Sequence, residues 1–242
     1  MIQKLNVTWF DFETTGLNIN KDSPVSIYAI NYKNKITIDT ILNPEQEIAT
    51  GASEVHGLYK EDVEDAFKFI DIIPSLSNLI NSSEFIGGYN ICKYDVPLLI
   101  SMYKRNNVKL DIKSAKFVDL FHIIKKVVPQ DDLDSLEKLN LSSVYKLLTN
   151  KELDAHKAKY DTLACVEMLS VLNKKNLPWQ DHILNYQDLK GSEITEGDFI
   201  MKSGKHEGSS ISYLIKKHSA YLKYMITRKY IKLSSELCAM LK

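Results

Sequence analysis

Polar and apolar positions divide the chain into a front built of strands and a middle in which helices and strands alternate. Val7 to Phe12, Val25 to Tyr32 and Ile36 to Leu42 are rich in β-branched and aromatic residues, and Lys33-Asn34-Lys35 between the last two suits a hairpin turn. From Glu61 onward the period changes. Asp71 to Asn81 spaces its apolar residues as a helix does, Glu84 to Gly88 reads as a short strand, and Asp95 to Arg105 as a helix with Pro97 in its first turn. Phe117 to Leu120 predicts a strand end running into a helix through Val127, stopped ahead of Pro129. Ser135 to Thr149 predicts short helices, and Tyr160 to Leu172 an amphipathic helix carrying Leu163, Val166, Leu169 and Val171. An antiparallel strand trio followed by alternating helices and strands is the pattern of an α/β fold with a mixed sheet.

After Lys175 the composition shifts. Pro178, Gly191 and Gly197 punctuate a polar stretch, expected to be a connection with one short helix around Trp179 to Tyr186. Beyond it Phe199 to Gly208 reads as a strand and a glycine-containing turn, followed by two or three short basic helices. The expected organisation is a main domain over residues 1–176, a linker over 177–196 and a small α+β module over 197–242. The whole chain has 242 residues, 44% hydrophobic and 26% charged, which describes an ordinary globular protein of one large domain, or one with a small appendage. No stretch approaches the ~20 uninterrupted apolar residues of a membrane span, and the first residues carry no secretory apolar block, so a cytoplasmic protein without a membrane partner is expected. Cys92, Cys165 and Cys238 are odd in number and widely spaced, which suggests reduced, buried thiols rather than a disulfide framework or a zinc site.

A net charge of zero hides an asymmetry. Residues 197–242 carry nine Lys/Arg against three acids, and the rest of the chain 22 basic against 28 acidic residues. Such an acidic body with a basic tail suits carboxylates engaged in metal chemistry and a separate surface for a polyanion, although charge also varies along chains without function.

Three segments carry candidate chemistry. The first strand ends in Phe10-Asp11-Phe12-Glu13-Thr14-Thr15-Gly16; positions i and i+2 of a strand share a face, so Asp11 and Glu13 project together while Phe12 points the other way. Two carboxylates on one face can hold a divalent cation, and Val7, Trp9 and Phe10 make this a core strand rather than a solvated one. In Gly87-Gly88-Tyr89-Asn90-Ile91-Cys92-Lys93-Tyr94-Asp95 a strand and turn deliver Asp95 to the start of a helix, where it could equally be an N-cap. In Ala155-His156-Lys157-Ala158-Lys159-Tyr160-Asp161 the histidine precedes a predicted helix and Asp161 lies in its first turn.

Together these segments resemble the DEDDh, or DnaQ-like, 3′-to-5′ exonucleases. The first motif of that family reads here as Asp11, Glu13, Thr14, Thr15 and Gly16; the second as Asn90, Tyr94 and Asp95; the third, His-x-Ala-x-x-Asp, as His156, Ala158 and Asp161. A His-Gly pair usually lies between the first two, and His56-Gly57 stands there. The resemblance covers about residues 5 to 174. Two positions depart from it: Tyr89, where the family more often has His, and Tyr160, where it usually has a small or aliphatic residue.

The resemblance implies a ribonuclease H-like mixed sheet and a metal-dependent 3′-to-5′ exonuclease. Its expected substrate is the 3′ end of single-stranded or frayed DNA, and its products are nucleoside 5′-monophosphates. An RNA exonuclease is the alternative, and a non-catalytic nucleic-acid-binding subunit a more distant one. Hydrolysis of a phosphodiester needs a nucleophile near neutral pH and neutralisation of the charge building on the phosphate and the leaving oxygen. Two ions about 3.5–4 Å apart do both, and Mg²⁺, with Mn²⁺ as a substitute, suits an all-carboxylate site. By the same resemblance Asp11 bridges both ions, Glu13 and Asp161 complete the first site, and Asp95 serves the second. His156 is then the general base, since an ordinary histidine pKa of about 6.5 lets it accept a proton at working pH. Phe12, Thr14, Thr15, Gly16, Leu17, His56, Asn90 and Tyr94 are the expected substrate contacts, with Leu17 against the terminal base.

Phe199 to Gly208, Leu214 and His218 to Met225 are similar to the small module of exodeoxyribonuclease X-like proteins. Tyr213, Tyr221, Tyr224 and Tyr230 among lysines could stack unpaired bases, or form the core of the module. No protein partner is indicated.

Overall fold

A computed structural model describes residues 5–191, 214 and 217–227. The chain forms two compact units, residues 1–189 and 190–242.

The first unit is built on a mixed sheet of order β4-β3-β2-β1-β5-β6-β7. Its strands are β1 (Val7–Thr14), β2 (Pro24–Asn31), β3 (Ile36–Asn43), β4 (Phe67–Lys68), β5 (Phe85–Gly88), β6 (Lys116–Asp119) and β7 (Leu184–Asn185). The first three are antiparallel neighbours, as their spacing predicts, and β5 and β6 continue the sheet in parallel from β1. Alternation along β1 sets the two layers. Phe10 and Phe12 face a core shared with α3 (Phe69–Asn81) and α4 (Asp95–Arg105), whereas Val7 and Trp9 face α5 (Leu120–Val127), α7 (Leu141–Thr149) and α8 (Ala158–Lys174). Short helices α1 (Thr50–His56), α2 (Lys60–Val63) and α6 (Gln130–Asp134) complete the connections.

The α/β expectation holds, with local differences. Trp179 to Tyr186 is not one helix: a 3-10 turn, Trp179–His182, leads into β7, which pairs antiparallel with β6, and α9 (Tyr186–Gly191) follows. Trp179 is buried against α8, so the chain up to Leu189 belongs to the first unit, although the sequence suggested a linker from 177. On α8 the buried residues are Ala158, Asp161, Thr162, Ala164, Cys165, Met168, Leu169 and Leu172; of the four apolar residues expected there Leu169 is buried, while Leu163, Val166 and Val171 are half-buried. The segment facing β1 is therefore small and polar near its start, which leaves room for carboxylates.

In the second unit the described residues form the helix Ser219–Thr227, which carries one lysine, Lys223. The expected strand and turn at Phe199 to Gly208, and Tyr213 and Tyr230, lie outside the described residues.

Candidate active site

β1 outruns β5. Their last pair is Trp9 with Gly87, and past it the β1 edge has no strand partner on that side. Asp95 fills the gap: its Oδ1 accepts the Phe12 backbone N–H at 3.3 Å. Asp95 is the first residue of α4, with Tyr94 at the N-cap, so it is not the cap that its position alone allowed. The close approach of the β5 end to β1 requires glycine. A β-carbon on Gly88 would stand 2.9 Å from the Phe10 carbonyl oxygen and 2.1 Å from Ile91 Cγ2.

Asp11 and Glu13 project from β1 towards α8, as their i, i+2 spacing predicts, and there they meet Asp161 from the first turn of α8. One oxygen from each of the three carboxylates can be chosen so that all lie within 4.8 Å of one another. Asp95 is outside this trio but beside it, and its charge acts on both Asp11 and Glu13. His156 is exposed on the loop before α8; its backbone N–H donates to Asp161 Oδ2 at 3.0 Å. It adopts φ +69°, left-handed backbone that a non-glycine residue holds only where its surroundings impose it.

Crowding perturbs every member. Burial, followed by the charges of Asp95, Asp161 and Glu13, holds the Asp11 carboxyl well above the usual carboxylate range. Burial and then Asp161 raise Glu13 to about 8, and burial raises Asp95 to about 7 against the Phe12 N–H, which favours its charged form. Asp161 rises to about 6, also through burial, moderated by the N–H and ring of His156. The unfavourable packing of acids is what a bound cation would relieve. Asp161 Oδ1 is buried with no hydrogen-bond partner, an acceptor left without a donor. The donors are all carboxylate oxygens, so a hard divalent cation fits them.

The segment after β1 is held in place from several sides. The Tyr94 hydroxyl donates to the Gly16 carbonyl at 2.5 Å and lies 2.9 Å from Thr14 Oγ1. Burial pushes the Tyr94 pKa up to about 12, which keeps it a donor. Leu17, beyond that anchor, is 86% exposed, the position of a side chain free to meet a ligand. Two expected contacts are placed differently. Thr15 is 1% exposed and all its polar groups are spent on the fold: its hydroxyl donates to Asp22 and accepts from Ser23 and Gln46, its N–H meets the Ser23 carbonyl, and its carbonyl accepts from Ala49. Phe12 is buried on the opposite layer, edge-on to Phe10, and reaches the site only through its N–H. Asn90 is a left-handed turn residue, φ +56°, ahead of Tyr94. His56 is 9% exposed; its Nδ1 accepts from Leu58, its Nε2 is buried without a partner, and its ring is near the Thr14 backbone.

Other residues around the site escape sequence reasoning. Arg105 reaches from the end of α4 to the carbonyls of Lys21 and Asp22 and so braces the loop between β1 and β2. Cys165, one helical turn past Asp161, is buried, and burial together with the charges of Asp11 and Asp161 keeps its thiol protonated. Neither has a sequence signal beyond helical spacing from a motif residue.

The sequence profile of the family described as RNase_T, exonuclease, matches residues 8–169, from the first strand to the middle of α8. The chain belongs to this exonuclease family. It is a phosphodiester hydrolase of the DEDDh, 3′-to-5′ exonuclease type. Among curated relatives, the DNA polymerase III subunit epsilon of Treponema pallidum is 23% identical over 185 residues, 74% of this chain and 81% of the relative. The subunit of the same name from Buchnera aphidicola is 25% identical over 233 residues, 89% of this chain and 94% of the relative. Among solved structures, a zinc-ion-bound form of an E. coli exonuclease I complex with single-stranded DNA superposes with a TM-score of 0.62 at 16% identity, covering 72% of this chain. This chain spans 42% of that one. The sheet and its flanking helices are thus those of a ribonuclease H-like exonuclease domain.

Proposed function

We propose that this exonuclease removes nucleoside 5′-monophosphates from the 3′ end of single-stranded or frayed DNA, with two Mg²⁺ ions as cofactors and Mn²⁺ able to replace them. The observation that carries the reading is the convergence of Asp11, Glu13 and Asp161, from β1 and α8, beside Asp95 and under the exposed His156. Asp11, Glu13 and Asp161 would hold one ion, and Asp95, with Asp11, would serve a second. When bound, the ions neutralise charge on the scissile phosphate and lower the pKa of water.

The side chains do the rest. His156, carried on a loop and open to solvent, takes the proton from the attacking water. Thr14 and Gly16, fixed by Tyr94, offer backbone and hydroxyl groups to the terminal sugar, and Leu17 packs on the terminal base. His56, at the end of α1 near the Thr14 backbone, completes the same wall.

DNA is favoured over RNA by the relatives, which are named as DNA polymerase subunits, and by the neighbour bound to single-stranded DNA. The basic residues of 197–242 are assigned to binding the strand. Reduced, buried Cys92 and Cys165 suit a cytoplasmic protein, and among the described residues no helix is long and apolar enough to cross a membrane.

End-labelled DNA and RNA oligonucleotides, incubated with Mg²⁺ or EDTA, test the proposal. Stepwise loss of mononucleotides from the DNA 3′ end, abolished by EDTA and by Asp11→Ala, is the expected result. Retention of full turnover by Asp11→Ala would show that the site lies elsewhere, and preferential attack on RNA would replace the assigned substrate.

A further inference from the structure

Asp119, the last residue of β6, is 3% exposed and belongs to none of the motifs. As the N-cap of α5 it needs only one backbone N–H, that of His122, which donates to Oδ1 at 3.2 Å. Two more donors come from another part of the chain. The N–H of Asn90 reaches Oδ1 and that of Cys92 reaches Oδ2, each at 3.1 Å, and the Cys92 thiol lies beside this carboxylate. Both oxygens are therefore occupied, and most of the donors belong to the turn between β5 and α4.

That turn determines where Asp95 sits. It begins at Gly88, pressed against the Phe10 carbonyl, passes through left-handed Asn90, and reaches Asp95 three residues after Cys92. At its far end Asp95 is tied to β1 by the Phe12 N–H. Without Asp119 the near end would keep buried N–H groups with no acceptor, and the turn would have no polar anchor to β6.

We propose that Asp119 is a positioning residue that fixes Asp95 for the cation it serves. The inference rests on the metal-dependent reading above. Asparagine in its place offers one acceptor oxygen and turns an NH₂ group towards N–H donors, so the turn loosens while α5 can keep its cap.

The experiment measures Mn²⁺ binding to the full chain by calorimetry without DNA, alongside the Mn²⁺ dependence of 3′-end release, for wild type, Asp119→Asn, Asp95→Asn and the double variant. Groups that hold metal ligands typically change metal affinity by about 10–100-fold. Asp119→Asn is therefore expected to weaken the second binding event by at least about tenfold, to restore activity at high Mn²⁺, and to leave the KM for the DNA end within about twofold. In the Asp95→Asn background it should add little, because the residue it serves is already altered. Unchanged metal binding, a uniform loss that Mn²⁺ does not rescue, or a full additional loss in the double variant would each overturn the assignment. Should Asp119→Asn not fold, Asp119→Glu takes its place, keeping the acceptors at a shifted position with the same metal shift expected. Failure of both to fold in Mn²⁺ would make Asp119 a folding residue and reject the proposal. Wild type inactive on any DNA end would instead remove the metal-dependent reading itself.

Discussion

A histidine in left-handed backbone costs roughly 1–2 kcal/mol relative to ordinary conformations. His156 bears that strain at φ +69° on an exposed loop, where its backbone N–H also fixes Asp161. Because the ring itself holds nothing together, His156→Ala should lower kcat by about 10²–10⁴ while leaving the melting temperature and Mn²⁺ affinity near wild type. Thermal melting and calorimetry beside single-turnover rates check this, and equal loss of metal binding and turnover would contradict its role as base. The neighbouring acids make a second prediction at this scale. Glu13, Asp95 and Asp161 have folded pKa values raised to about 8, 7 and 6, so the folded protein binds protons more tightly than the unfolded chain. The stability this confers is complete below the ordinary carboxylate range near 4 and is lost as pH rises through about 6 to 8. In EDTA the melting temperature should therefore fall across that window, and Mn²⁺ should remove the fall by neutralising the cluster. A flat or rising profile in EDTA would show that the carboxylates are not packed together. Among single residues, the strand period alone pairs Asp11 with Glu13, whereas Asp161 joins them in the sequence through the resemblance of its motif. Asp119 and Arg105 could not be found there, because the backbone groups they hold at Asn90, Cys92, Lys21 and Asp22 are distant in sequence.

At the scale of elements, β1, β2, β3 and α4 were legible because each repeats its period over eight or more residues. Two-residue strands such as β4 and β7 have no period to read. Trp179, Ile183 and Leu184 mimic a helical stripe, yet Leu184 is claimed by pairing with Phe117 of β6. Helix α1, which brings His56 near the site, begins at Ala49-Thr50 without a side-chain cap, so its start has no local signal. The junction of β5 with its turn is the least forgiving element. Gly88→Ala would force its β-carbon into the Phe10 carbonyl and Ile91, both fixed by the core, and overpacking of this kind costs about 1–3 kcal/mol. Because the same turn carries Asp95, the variant should lose stability and metal response together, whereas Gly51→Ala, with open space around its β-carbon, should lose neither. Denaturant midpoints and Mn²⁺ titrations of the two variants separate the cases.

Across the whole molecule, residues 1–196 carry an excess of acids and residues 197–242 an excess of basic residues. The first unit needs its carboxylates to hold metal, yet those carboxylates repel a polyphosphate strand until metal is bound. On the proposed reading, the basic residues of 197–242 answer that conflict by attracting the strand. Residues 197–242 carry nine Lys/Arg against three acids, and Tyr224 on the helix Ser219–Thr227 is 52% exposed, so a base could stack there while lysines meet phosphates. Each phosphate neutralised on a single strand contributes about −0.7 to the slope of log affinity against log salt. Replacing Lys202, Lys205, Lys229 and Lys232 with Gln in the full chain should therefore flatten that slope by up to about 3. Affinity for a long single strand should fall most at low salt, and turnover at saturating substrate should change far less. Fluorescence anisotropy with a labelled oligonucleotide over a salt series gives the slope directly, with EDTA present to prevent cleavage. An unchanged slope would mean that the second unit serves another partner, and that the strand is held by the exonuclease unit alone.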